Sequence, residues 1–303
     1  MLTATFFEIV NRSPKGRRIV FRGLFEYLAR RSQHMTTWTQ MNYGYAEGTG
    51  RGHTIPLRPD EEHERYCHQL YFRTVNGVDL SGKDVAEVSC GRGGGSAFIH
   101  RYLSPRTMTG IDIAAGAIKF CRRVHRAPCL RFLQGEAEEL PLFNESADAL
   151  VNVEASFCYG DLGKFFSEVY RVLRPGGHFL YTDLHAPESI DGLISGLESL
   201  GFDMLHADDI TANVSRALEL DSERRTECVR ANAPWLLRHA MRAFAGTPGS
   251  RIPTQLANGQ LQYYCFTLRK RLGDTESVAS SARSDVGLEH SSQGSRPATE
   301  YVD

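Results

Sequence analysis

The chain has 303 residues, 41% apolar and 23% charged, with a formal net charge of −1. Such a composition supplies a sizeable core, and the near-neutral charge argues against a general nucleic-acid binder, which would be basic. No run of 18 or more apolar residues is present, which argues against a helical membrane span.

The seven cysteines, at 67, 90, 121, 129, 158, 228 and 265, form no Cys-x-x-Cys pair. Reduced thiols in a cytoplasmic protein are expected, with neither a disulfide framework nor a metal site. At the N-terminus a short apolar run precedes the basic residues, the reverse of a secretory signal.

In chain order, Ile19, Val20, Leu24, Phe25 and Leu28 recur at helical spacing among Arg17, Arg18, Arg22, Arg30 and Arg31. They predict an amphipathic helix packed on the main body, or else a lid that touches a membrane or lipid acceptor through residues 17–31. Aromatic and polar residues alternate from Thr36 to Tyr45, as in a binding loop, and a glycine- and proline-rich loop follows to about residue 60. A helix is expected from Glu61 to Thr74. From Lys83 strands and helices alternate: strands at 84–89, 107–112, 130–133, 147–153 and 178–183, helices near 95–103, 114–125 and 161–173. Pro175, Gly176 and Gly177 are read as stopping the last helix before its strand.

A helix over 188–200, a short strand at Gly201-Phe202, a polar helical run over 209–245 with Trp235, Leu236 and Leu237 as anchors, and a final alternating strand over 260–268 complete the pattern. The expected fold is α/β, a Rossmann-like doubly wound sheet, mostly parallel with the last strand antiparallel. Residues 1–60 form an N-terminal helical lid, 61–270 the main domain with an acceptor-cap insertion at 209–258, and 271–303 a disordered tail.

Ligands of such sheets bind outside the carboxyl ends of the strands. The first strand breaks into Cys90-Gly91-Arg92-Gly93-Gly94-Gly95, where glycines let the backbone turn sharply and approach a ligand. Alone, that turn fits a phosphate, a dinucleotide or a plain corner. The second strand ends at Gly110-Ile111-Asp112-Ile113, placing an acid about where a ribose diol is held. The third strand is followed by Gln134-Gly135-Glu136-Ala137-Glu138, the fourth ends at Asn152-Val153-Glu154-Ala155 and the fifth at Asp183-Leu184-His185.

Glu-Val-Ser-Cys-Gly-x-Gly-Gly-Gly, Thr-Gly-Ile-Asp-Ile, Gly-Glu-Ala-Glu-Glu-Leu-Pro, Asn-Val-Glu-Ala-Ser and Leu-Arg-Pro-Gly-Gly, in this order over roughly residues 36–270, resemble the class I S-adenosylmethionine-dependent methyltransferases. The segment Glu64 to Thr74, with Tyr181-Thr182-Asp183-Leu184 and Tyr264-Cys265-Phe266-Thr267, is similar to the phthiotriol/phenolphthiotriol dimycocerosates methyltransferase branch. Related natural-product enzymes of that branch methylate carbon, so the branch does not fix the acceptor atom.

The resemblance implies S-adenosyl-L-methionine as cofactor. Gly91, Gly93 and Gly94 would meet its methionine part, with Glu87 ordering the loop. Asp112 would hold the ribose diol, Ile113 the adenine face, and Glu136 and Ala137 the adenine edge. Asn152 and Glu154 would line the methyl-transfer side, with Tyr43 closing the site. Glu154 and His185 are the candidate bases. The expected reaction is methylation of a bulky, largely apolar small molecule of specialised metabolism at a hydroxyl. The alternatives are carbon methylation of an indole or terpenoid-type alkaloid, or a non-catalytic cofactor-binding module. A homo-oligomer is left open.

Overall fold

The computed structural model describes residues 14–48, 55–232 and 238–272. The tail expected at 271–303 lies outside the described residues from 273 onward, and the anchors Trp235, Leu236 and Leu237 fall outside them too.

The elements are α1 (Pro14–Arg31), α2 (Arg65–Val75), β1 (Asp84–Val88), α3 (Gly94–Leu103), β2 (Thr107–Asp112), α4 (Ala115–Val124), β3 (Leu130–Gln134), β4 (Ala147–Val153), α5 (Leu162–Val172) and β5 (Leu173–His185). They continue as α6 (Ile190–Ser199), β6 (Phe202–Asp209), α7 (Thr211–Leu220), α8 (Ser222–Asn232), α9 (Arg238–Phe244), α10 (Arg251–Ala257) and β7 (Gln262–Lys270). The seven strands form one sheet in the order β3-β2-β1-β4-β5-β7-β6. The first five are mutually parallel and β7 runs antiparallel to both β5 and β6. Strand order reverses at β1, so a crevice opens between β1 and β4 at their carboxyl ends.

The core falls on both faces of the sheet. Leu70, Phe98, Ile99, Met108 and Val151 lie in one apolar cluster, and Phe165, Val169, Phe179, Tyr181 and Phe202 in another. These strands read as nearly continuous apolar runs because helices cover them on both sides.

Three elements differ from expectation. The helix before β1 starts as a 3-10 turn over Pro59–Glu64 and becomes α-helical only at Arg65. The short strand at 201–202 is an eight-residue strand, because β7 offers it a full antiparallel edge. The strand after α5 begins at Leu173, not at 178. Its register to β4 jumps from Ala147↔Leu173 to Ala149↔His178, so Arg174 to Gly177 bulge out of the ladder. Gly176 takes φ +76° there, and a Cβ on Gly177 would sit 2.9 Å from the Arg174 carbonyl oxygen and 3.0 Å from that of Asp148.

Two polar contacts hold α1 down. Glu26 accepts from the Gly116 N–H at 3.0 Å, in the first turn of α4, where a carboxylate suits the helix dipole. Gln33 donates to the Gly116 carbonyl at 2.7 Å. Ala29 packs with Ala114 and Ala117 beneath.

At Gly95 an added Cβ would fall 2.0 Å from the Tyr71 ring, which is itself bonded to Glu87. Gly95→Ala should therefore cost about 1–3 kcal/mol through overpacking. Denaturant unfolding checks this; a midpoint equal to wild type would show that Tyr71 moves freely.

Candidate active site

A cavity of about 1230 Å³, counting the space at its mouth, opens at the strand ends. Its floor is Ser89 to Arg92 after β1, Asp112 to Ala114 after β2, Gly135 to Glu138 after β3, and Val153 to Ala155 after β4. Phe21, Arg22 and Phe25 of α1, the segment Trp38 to Asn42, and Phe244 at the end of α9 roof it. Phe21 stacks on Phe25, and Phe25 meets Phe244 edge-on.

On the Asp112 side, the carboxylate accepts from the Gly91 N–H at 2.9 Å and the Ala114 N–H at 2.8 Å. Burial raises its pKa from 3.8 to about 6, against the pull of those two amides. Each oxygen accepts one of these bonds and keeps further acceptor capacity, and Asp112 lines the cavity. Glu136 faces Arg22 at 3.6 Å across the mouth. Ile113 and Ala137 also line the wall.

On the Glu154 side, Glu154 follows β4 with φ +54°, a left-handed conformation that costs a non-glycine residue about 1–3 kcal/mol. Its Oε2 accepts from the Tyr43 N–H at 2.7 Å. Its Oε1 is buried without a hydrogen-bond partner. Burial, then the neighbouring Asp183, push its pKa well above the usual carboxylate range, against the pull of the Tyr43 amide and Arg225. Ser89, after β1, also lines the cavity and takes φ +60°.

Not every expected site residue reaches the cavity. Gly91 does; Gly93 and Gly94 turn into the protein. A Cβ at Gly93 would meet Cys121, His125 and Phe132 at 2.9 Å, and one at Gly94 would meet the Thr39 carbonyl at 2.6 Å. These two glycines let the loop pack against its neighbours.

Glu87 lies beneath the floor, accepting from Tyr71 and Ser96. Asn152 braces the β1 end, donating to the Val88 carbonyl at 3.0 Å and to Tyr159 at 2.8 Å. Tyr43 acts through its main chain on Glu154, while its hydroxyl donates to the Phe244 carbonyl at 3.0 Å. His185 stands behind the wall, edge-on to Tyr181 and Phe266, with Nε2 buried and unpaired. Burial lowers its pKa and Asp183 opposes that.

Residues passed over in the sequence reading matter as much. Arg92 is 3% exposed and lies 3.7 Å over Phe120 and 4.8 Å over Trp38. It donates to Ser32 Oγ and to the carbonyls of Ser32, Met35 and Trp38. Asp183, 0% exposed, accepts from the Ser156 hydroxyl and N–H. Its place as the last residue of the strand expected at 178–183 is the one signal that could have picked it out.

Among the described residues no group of three or more His, Cys, Asp or Glu comes together as a metal site, and no helix is long and apolar enough to cross a membrane. None of the seven cysteines forms a disulfide.

A doubly wound sheet with an acid at the end of β2, a glycine turn after β1 and a roofed cavity between them has the fold of a class I methyltransferase. A methyltransferase domain model matches residues 86–181. Over 229 residues the chain is 41% identical to a phthiotriol/phenolphthiotriol dimycocerosates methyltransferase of Mycobacterium tuberculosis, covering 75% of this chain and 84% of that one. It is 39% identical over 228 residues to a fatty-acid O-methyltransferase of Mycolicibacterium smegmatis, covering 75% and 82%. The crystal structure of the [4+2]-cyclase SpnF matches with a TM-score of 0.65 at 17% identity, over 83% of this chain and 95% of that one, and so shares the fold.

The chain belongs to the family of the phthiotriol/phenolphthiotriol dimycocerosates methyltransferases. It is an S-adenosylmethionine-dependent methyltransferase.

Burial also raises Glu87, from 4.5 to about 7. A carboxyl whose folded pKa is raised favours the fold most below its unfolded pKa and loses that contribution as pH climbs through the folded one. Stability should thus fall as pH rises from about 4.5 to about 7, by up to about 3 kcal/mol from Glu87. Glu87→Gln should flatten that slope in denaturant unfolding; an unchanged slope would mean Glu87 is ionised throughout.

Proposed function

We propose that the enzyme methylates a hydroxyl of a bulky, largely apolar small molecule, with Glu154 as general base. The buried Glu154 carboxyl on the cavity wall, held at Oε2 by the Tyr43 N–H, carries this reading. A strained residue with a raised pKa beside an apolar roof is what proton abstraction from a weakly acidic alcohol requires.

Asp112 fits the ribose diol: its carboxylate is fixed by two amides and still has lone pairs on the cavity side. Ile113, Glu136 and Ala137 line the neighbouring wall where the adenine would lie, and Gly91 the stretch where the methionyl chain would run. Gly93, Gly94, Glu87 and Asn152 hold that floor from beneath. When bound, S-adenosylmethionine supplies an electrophilic methyl group on a sulfonium.

The chain's own part is alignment and proton removal. Phe21, Phe25 and Phe244 exclude water and offer apolar contact, with 209–258 serving as the acceptor cap. Glu154, held by the Tyr43 N–H, takes the hydroxyl proton as the oxygen meets the methyl. Holding reacting atoms at about 3–3.5 Å contributes roughly 7–11 kcal/mol in favourable cases. His185 and Asp183 supply the field behind the base.

Similarity to the fatty-acid enzyme favours a second reading, a carboxylate acceptor. Against it, the methyl-transfer end gathers Glu154 and Asp183. The nearby Arg225 is engaged by Asp221 and by the carbonyls of Asn42 and Ala245. Incubation with methyl-labelled cofactor and either hexadecanol or palmitic acid separates the two. Label in the hexadecyl ether supports the hydroxyl reading, and label only in the palmitate ester overturns it.

Two further outcomes are expected. Glu154→Gln should lower turnover by about 10²–10⁴-fold while cofactor affinity stays near wild type; normal turnover would remove Glu154 as the base. Asp112→Ala should weaken cofactor binding by at least about 100-fold in calorimetry, since two charge-assisted hydrogen bonds are lost. Wild-type affinity should also fall as pH drops through about 6, where Asp112 takes up its proton; a flat profile would exclude Asp112 as the ribose ligand.

A further inference from the structure

Behind the Glu154 wall lies a second unpaired group that the reaction scheme has not used. Tyr263, on β7, is 0% exposed and its hydroxyl has no hydrogen-bond partner. A phenol in the core normally finds one, because leaving it unmade costs the desolvation of the group.

The Tyr263 backbone is fixed on both sides. Its N–H donates to Thr211 Oγ1 at 2.8 Å, its carbonyl accepts from Ile210 N–H at 2.8 Å, and it pairs across the sheet with Leu184 of β5. The start of α7 therefore sets where the ring points. The hydroxyl ends beside the Glu154 carboxyl. One orphan is a donor and the other an acceptor.

Resting on Glu154 as the base, we propose that Tyr263 is a positioning residue whose hydroxyl donates to the Glu154 carboxylate from the side opposite the cavity. The Tyr43 N–H takes one oxygen and Tyr263 reaches the carboxyl from β7. The group is thus gripped by two chain segments far apart in sequence, and its remaining lone pairs are aimed at the acceptor. The titratable and charged groups around the Glu154 carboxyl come from several elements, with Cys158 beside the Tyr43 end. Tyr43 comes from the segment before α2, Tyr71 from α2, Asp183 from β5 with His185 beyond it, Arg225 from α8, and Tyr263 from β7. Asp183 raises the proton affinity of Glu154, whereas Arg225, the Tyr43 amide and Tyr263 lower it.

The test follows the Glu154 carboxyl itself and needs no acceptor. Protein labelled at the glutamate side-chain carboxyl is titrated by NMR, and Glu154→Gln identifies the resonance. Tyr263→Phe keeps the ring and removes the donor, so the Glu154 midpoint should move upward by about one pH unit. Tyr263→meta-fluorotyrosine preserves the fold and strengthens the donor, so the midpoint should move downward. A midpoint unmoved in both variants overturns the proposal, since a purely packing role leaves it in place. Normal turnover of Glu154→Gln would instead overturn the base assignment, whatever the Tyr263 variants do to the titration.

Discussion

The buried guanidinium of Arg92 is the constraint on which the site depends. It lies in the glycine turn between β1 and α3, inside the protein, and no carboxylate accepts from it among the described residues. Main-chain carbonyls do so instead, with Ser32 Oγ and two aromatic faces. Burial lowers its pKa to about 10, still well above neutral, so the charge persists. A charge kept away from water must be met by dipoles. The three carbonyls that meet it all belong to the stretch after α1. The cation therefore fixes that stretch over the glycine turn.

From that anchor the chain runs across the strand ends with no slack. The Thr39 carbonyl accepts from Gly94 at 3.2 Å, while Glu64 accepts from the Thr39 and Gln40 amides at 3.0–3.1 Å. Four residues after Thr39, the Tyr43 N–H reaches Glu154. Upstream, the same anchoring sets the angle at which α1 carries Phe21 and Phe25 over the cavity. One buried cation thus links roof and base. In the proposed reaction, a change that loosens α1 would disturb proton transfer as well as acceptor binding.

Much of this could be read in the sequence, because the information was local. The alternation of apolar strand and amphipathic helix placed β1 to β5 within a few residues; Asp112 ends its strand and Glu154 directly follows one, where the topology aims side chains into the crevice. What stayed hidden depends on partners far along the chain. Arg92 occupies the variable position of its glycine motif, and nothing nearby says that its charge will be buried against residues 54 to 60 positions upstream. Tyr263 looks like any alternating strand residue until β7 is placed beside β5. Gly93 and Gly94 misled for a related reason. A glycine marks a close approach but does not say of what, and here the near atoms are those of Cys121, His125, Phe132, the Thr39 carbonyl and the Gln40 side chain. The early start of β5 escaped notice because proline and paired glycines ordinarily end an element, whereas here a bulge absorbs them.

The burial of the Glu154 carboxyl ties these features to chemistry. Removing water disfavours separated charge, and this is why Glu154 holds its proton more tightly than a carboxyl in solution. In the proposed reaction a carboxylate gains a proton while a positively charged donor becomes a neutral thioether, so one pair of opposite charges disappears. A site that resists separated charge favours that direction. In the proposed reaction it also disfavours a carboxylate acceptor, which would add a third acid beside Glu154 and Asp183. The same burial raises the base's affinity for its proton, weakens the ground state of the charged pair, and selects acceptors that arrive neutral. Such selection comes from the strand ends and the roof, not from the sheet, and this is how a fold shared with a cyclase can carry a methyl transfer.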